Sequence, residues 1–121
     1  MNDTVLTDES KLFKALMHPV RLAILDMLRD GEECVCHMEA ALGHRQAYIS
    51  QQLSVLRQAG LVQDRREGLN VYYWVTQPNV FVVLDAARVM AASSVKSSQP
   101  STRLATCPCP KCNAVLEEEV V

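Results

Sequence analysis

The sequence predicts a mainly α-helical domain with one β-hairpin, and three observations predict it. Apolar residues recur at helical spacing in successive stretches up to Gly60. Two strand-like runs, "LVQDRR" and "VYYWV", then flank the turn signal "EGLN". Last comes "VFVVLDAARVMAA", whose length and alanines favour a helix over the strand that its Val-Phe-Val-Val start resembles.

Taken in order, the first helix spans Asp8 to Met17, with Leu12, Phe13, Leu16 and Met17 as its apolar stripe. His18-Pro19 breaks the chain, and Pro19 suits the first position of a second helix because it has no N–H to leave unpaired. Leu22, Leu25 and Leu28 carry that helix to Asp30-Gly31. A third helix covers His37 to Leu42 and stops at Gly43. A fourth is marked by Ile49, Leu53 and Leu56 at i, i+4 and i+7, with Gly60 as its stop. The hairpin turn is expected to use Gly68 and Asn70. Pro78-Asn79 opens the last helix, which is apolar on nearly every side. Such a helix has to be buried, and in so small a chain burial calls for a partner. It is therefore expected to form a dimer interface through Phe81, Leu84 and Ala87.

From Ser93 the composition shifts to Ser, Gln, Pro and Thr, so residues 1–92 are expected to form the folded unit. Residues 93–121 then form a flexible linker and a cysteine-bearing tail, "CPCPKCNAVLEEEVV". At 121 residues, 49% hydrophobic and 21% charged, the chain reads as one globular domain. No apolar run approaches the ~20 residues of a membrane span. The acidic, polar start "MNDTVLTDES" is no signal peptide, so a cytoplasmic location is expected. Thiols are mostly reduced there, and an odd count of five cysteines suits ligands or redox-active thiols better than structural disulfides.

Two short helices, a helix carrying amides and hydroxyls, and a basic hairpin make up a winged helix-turn-helix. A helix lying in the DNA major groove needs an apolar back face and hydrogen-bonding groups in front. Arg45, Gln46, Tyr48, Ser50, Gln51 and Ser54 supply the front, and the wing offers Arg65 and Arg66 to phosphates. The whole chain carries a net charge of −2, yet Arg45 to Arg66 holds four arginines against one acid, Asp64. That local excess is what phosphate binding requires.

These stretches resemble the ArsR/SmtB family of metal-responsive repressors. The resemblance runs from about Lys11 to Ala92, on "KALMHPVRLAILDMLRDGEECVC", "ISQQLSVLRQAGLV" and "RREGLNVYYWV" together. It implies a homodimer whose first and last helices meet, which adds Leu12 and Leu16 to the expected interface. It also implies a repressor, not an enzyme, that releases operator DNA when it binds a metal or metalloid. "ECVC" is similar to the cysteine box of the arsenic-, cadmium- and lead-sensing members, so Cys34 and Cys36 carry over as ligands. The box departs from the family pattern at His37, where Asp is common, and at Glu39, where arsenic sensors often have a third cysteine. The zinc-type site of the last helix is missing too, since no histidine follows Asp85.

Spacing adds a condition to that site. Residues i and i+2 of a regular helix point roughly 200° apart, so Cys34 and Cys36 can share an ion only where the chain is extended or just beginning a helix. The remaining ligands are expected from Cys107, Cys109 and Cys112, where the prolines flanking Cys109 hold the tail extended. Cys109-Pro-Lys-Cys112 also reads as half a zinc knuckle. Soft thiolates select Cd(II), Pb(II), Zn(II) or As(III); four would suit Cd(II) or Zn(II), three Pb(II) or As(III), and the number of thiols favours Cd(II) or Pb(II). His18, His37 and His44 read as surface or capping residues. A rival reading keeps the fold and makes Cys34 or Cys36 part of a regulatory disulfide with a tail cysteine, answering oxidants or sulfide. A remote one, a small thiol enzyme, lacks a base or helix N-terminus near the tail thiols and leaves the polar helix unexplained.

Overall fold

The computed structural model describes residues 3–93. Its elements are α1 (Asp3–Leu16), α2 (Pro19–Met27), β1 (Glu33–Cys34), α3 (Val35–Leu42), α4 (Gln46–Gln58), β2 (Val62–Glu67), β3 (Asn70–Val75) and α5 (Asn79–Ala92). This is the expected mainly helical winged helix-turn-helix, with β2 and β3 as the wing. Helix α1 begins at Asp3, ahead of the expected Asp8, because apolar spacing marks only the part that packs. Residues 3–11 are exposed, and burial starts at Leu12.

The helix ends follow local chemistry. His18 caps α2, its Nδ1 accepting the Val20 N–H at 3.2 Å, and Pro19 takes the first turn. Helix α3 stops at Gly43, whose φ of 69° suits a residue without Cβ, and its N–H closes on the Glu39 carbonyl at 2.9 Å. Gly43, His44 and Arg45 then form the short turn between α3 and α4. Along α4, Ile49, Leu53 and Leu56 are all fully buried, as their spacing requires. They pack with Ile24 and Leu25 of α2, Met38 of α3 and Val62 of β2 into one core.

The wing turn differs from expectation. Strand β2 pairs antiparallel with β3 from Val62↔Val75 to Glu67↔Asn70, so Asn70 belongs to a strand and the two-residue turn is Gly68-Leu69. Gly68, with φ of 62°, takes the first central position, which one class of hairpin turn reserves for glycine. A third strand escaped the sequence reading. β1 joins the open edge of β3 through Glu33↔Tyr73 and Cys34↔Tyr72, giving the sheet order β1-β3-β2. Two residues are too few to show an alternating pattern.

The expected interface residues divide. Leu16 and Leu84 are buried in the chain's own core at 7% and 5% exposure, and Leu12 and Phe81 pack partly against it. Ala87 is exposed. The large apolar side chains left exposed on these helices are Val5, Leu6 and Phe13 of α1 and Val82, Val89 and Met90 of α5. None of the helices among the described residues is long and apolar enough to cross a membrane.

Candidate nucleic-acid interface and cysteine box

Helix α4 buries one face and leaves another open. Gln46, Ser50 and Gln51 are exposed, Ser54 is half-buried, and the exposed methyl of Ala47 lies among them. Tyr48 is half-buried and held on two sides. Its hydroxyl lies 3.2 Å from His18 Nε2, and the His44 ring sits 4.7 Å from its own. Because His18 Nδ1 accepts a backbone N–H, Nε2 carries the proton of the neutral ring and donates to the Tyr48 oxygen. The phenolic O–H keeps its own hydrogen to donate. His18 and His44 thus touch the α4 surface through Tyr48, which reading them as surface or capping residues did not anticipate; only pairing across the fold shows it.

The four arginines are not equivalent. Arg57 pairs with Asp64 at 3.2 Å. Arg65 donates to Glu32 through Nη2 at 2.5 Å and Nε at 3.2 Å, and to Glu67 through Nη1 at 2.8 Å. Its guanidinium carbon stands 4.8 Å from the centre of the Tyr72 ring. Those bonds, Glu32 first and Glu67 second, raise its pKa above the ordinary guanidinium value. Arg45 and Arg66 are exposed and have no side-chain bond or ion pair among the described residues. The expected local excess of charge is thus reduced in the fold to two open guanidiniums. Carboxylates outside the Arg45–Arg66 stretch, Glu32 and Glu67, fold back onto it.

The cysteine box sits where strand turns into helix. Cys34 ends β1 and caps α3 with extended backbone, φ −85° and ψ 155°, and its sulfur accepts the His37 N–H at 3.3 Å. Cys36 lies in the first turn of α3. This is the beginning of a helix that sulfur sharing requires. The structure joins Cys34 and Cys36 as a disulfide with 5.3 Å between their Cα atoms, a pairing inside the box in place of one between the box and a tail cysteine. Cys34 is 1% exposed, whereas Cys36 lines an open cleft of about 560 Å³ with Glu39, Gly43, His44 and Arg45. His37 Nε2 lies 4.0 Å from Glu33. Two sulfurs on one side fit part of a soft-ion site. No group of three or more metal-binding side chains occurs among the described residues. Cys107, Cys109 and Cys112 lie outside them.

On the last helix, Asp85 is engaged by Arg29 of the α2–β1 connection at 2.6 Å, and Arg88 reaches Asp26 of α2 at 2.6 Å. Arg29 also pairs with Asp26 at 3.0 Å and stacks over Phe81. The Arg29 hydrogen bond holds the Asp85 carboxyl below its usual pKa. Asp85 here ties α5 to the rest of the fold.

A helix-turn-helix with a polar front, followed by a β-hairpin wing, defines a winged-helix DNA-binding regulator. The pattern that defines the bacterial regulatory proteins of the arsR family matches residues 18–64. The biofilm growth-associated repressor of Agrobacterium fabrum is 40% identical over 80 residues, covering 66% of this chain and 68% of that protein. The HTH-type transcriptional repressor SmtB of Mycobacterium tuberculosis is 37% identical over 83 residues, 68% of this chain and 62% of its own. A solution structure of a homodimeric winged helix-turn-helix DNA-binding domain from Mycobacterium bovis superimposes with a TM-score of 0.68 at 30% identity, covering 84% of this chain and 97% of that one. The chain belongs to the arsR family of bacterial regulatory proteins, which are transcriptional regulators and not enzymes.

Proposed function

We propose that this protein is a metal- or metalloid-responsive repressor that binds operator DNA as a homodimer and lets go when a thiophilic ion binds its cysteines. The observation that carries the reading is the placement of Cys34 and Cys36. Both sulfurs lie together at the start of α3, the helix that leads through a short turn into α4. Arg45, Gln46, Tyr48, Ser50, Gln51 and Ser54 address the major groove, and Arg66 the flanking phosphates. A two-fold dimer then selects an imperfect inverted repeat with half-sites about one helical turn apart. The dimer is supported by the homodimeric relative and by the apolar side chains left open on α1 and α5.

Cys34 and Cys36 supply two thiolates, and Cys107, Cys109 and Cys112 of the tail the others. The ion is Cd(II) or Pb(II) in preference to As(III) or Zn(II), because so many soft donors are available. Residues 1–92 bind DNA and dimerise; the linker and tail expected over residues 93–121 lie almost wholly outside the described residues. Anaerobic titration of the reduced protein with Cd(II) tests the reading. Thiolate-to-metal absorbance should rise as DNA is released, and a coupling of ~3 kcal/mol corresponds to about 150-fold weaker binding. Cys34→Ser or Cys36→Ser should leave metal-free DNA binding intact and abolish the response. Full release by either variant rejects the site.

The disulfide favours a second reading, a redox-sensing repressor that uses the same pair. In that case diamide should change DNA affinity, dithiothreitol should reverse the change, and Cd(II) should have no effect on reduced protein.

A further inference from the structure

We infer that Glu32 sets the DNA affinity of the wing by holding Arg65 away from phosphate, and that it does so from the edge of the cysteine box. The inference rests on the wing being a phosphate-binding element. Three nitrogens of Arg65 are already engaged, two of them by Glu32. A phosphate approaching Arg65 therefore has to displace a carboxylate from a guanidinium that is already neutralised. Arg66, one residue on and facing the other side of the strand, has no such pair among the described residues.

The holding residue is part of the box's own strand region. Glu32 immediately precedes β1, Cys34 pairs with Tyr72, and Tyr72 pairs with Arg65. Cys34, Tyr72 and Arg65 thus form one row across the sheet, with Arg65 over the Tyr72 ring and paired to Glu32. A shift of β1 at Cys34 moves Glu32, and the charge offered by the wing changes with it. Exposed ion pairs are weak enough for a phosphate to compete, so the contact tunes binding without blocking it.

The test uses the reduced, metal-free full chain and a labelled mixed-sequence DNA duplex, followed by fluorescence anisotropy over a salt series. Wild type, Glu32→Gln, Arg65→Gln and the double variant are compared, with thermal melts confirming that each is folded. Glu32→Gln should bind up to about 5-fold tighter at low salt, the scale of an exposed ion pair. It should also steepen the salt dependence by ~0.9, one added phosphate contact. Both gains should vanish in the Arg65→Gln background. No gain, a loss, or an equal gain without Arg65 overturns the inference, the last by showing only general charge removal. If the wild type binds no duplex, the DNA-binding reading fails. The Glu32 inference is then still decided by whether Glu32→Gln acquires binding that requires Arg65.

Discussion

Neighbouring residues of α4 do opposite work. Gln51 is exposed, while Leu53 is fully buried in the core with residues of α2, α3 and the wing. Leu53→Ala removes packed atoms and leaves a cavity, so it should cost ~2–5 kcal/mol in denaturant unfolding. Gln51→Ala should stay within about 0.5 kcal/mol of wild type, because it deletes nothing the core uses. Under the proposed function its effect lies in recognition. Binding to a selected operator should weaken while binding to unrelated duplex stays level, as measured by competition. Gln51→Ala lowering both equally would place that side chain outside base reading.

At the scale of elements, α5 has two faces with different duties. Leu84, at 5% exposure, anchors it to its own chain, whereas Val89 and Met90 stand 71% and 75% exposed. Met90→Asp should therefore yield a folded monomer by sedimentation, with an unchanged helical spectrum. Leu84→Asp should lower the melting temperature sharply, because it buries a charge within the protomer. A dimeric Met90→Asp protein would move the interface elsewhere. The ion pairs of α5 give a second expectation at this scale. Asp85 is held below its ordinary pKa chiefly by the Arg29 hydrogen bond. Its stabilising contribution is thus present above the unfolded value, ~3.9, and is lost as pH falls through the lower folded value. Asp85→Asn should melt below wild type at pH 7, and the gap should close in acid below that window. A gap that persists there would mean the carboxylate's charge is not what holds α5.

Across the whole molecule, DNA binding has to come from a few open cations on a chain of net charge −2. Arg66→Ala should weaken binding to all sequences alike and flatten the salt dependence by ~0.9. Arg65→Ala should do less, since Glu32 and Glu67 already neutralise that side chain. Equal effects would show that DNA strips both carboxylates away at no cost. Removing the chain after Leu104 should leave metal-free DNA binding intact and weaken or abolish release by Cd(II). A truncated protein that still binds Cd(II) fully and releases DNA would exclude Cys107, Cys109 and Cys112 as ligands.

The helices, the hairpin and their order were legible from residues a few positions apart, although the wing turn and the start of α1 were not. Ile49, Leu53 and Leu56 share a face through the helical period, and Pro19, Gly43 and Gly60 end or start helices through their own backbone chemistry. The i, i+2 spacing of Cys34 and Cys36 set only a condition, an extended chain or one just beginning a helix, and the fold puts them at a strand-to-helix junction, with α3 starting at Val35 instead of the expected His37. Tertiary structure alone decided what each exposed-looking group does. Glu32 meets Arg65 across 33 positions, and Arg29 meets Asp85 across 56. No local pattern encodes such pairs. The two-residue strand β1 was equally invisible: it exists only because β3 offers it an edge, and that edge ties the cysteine box to the wing.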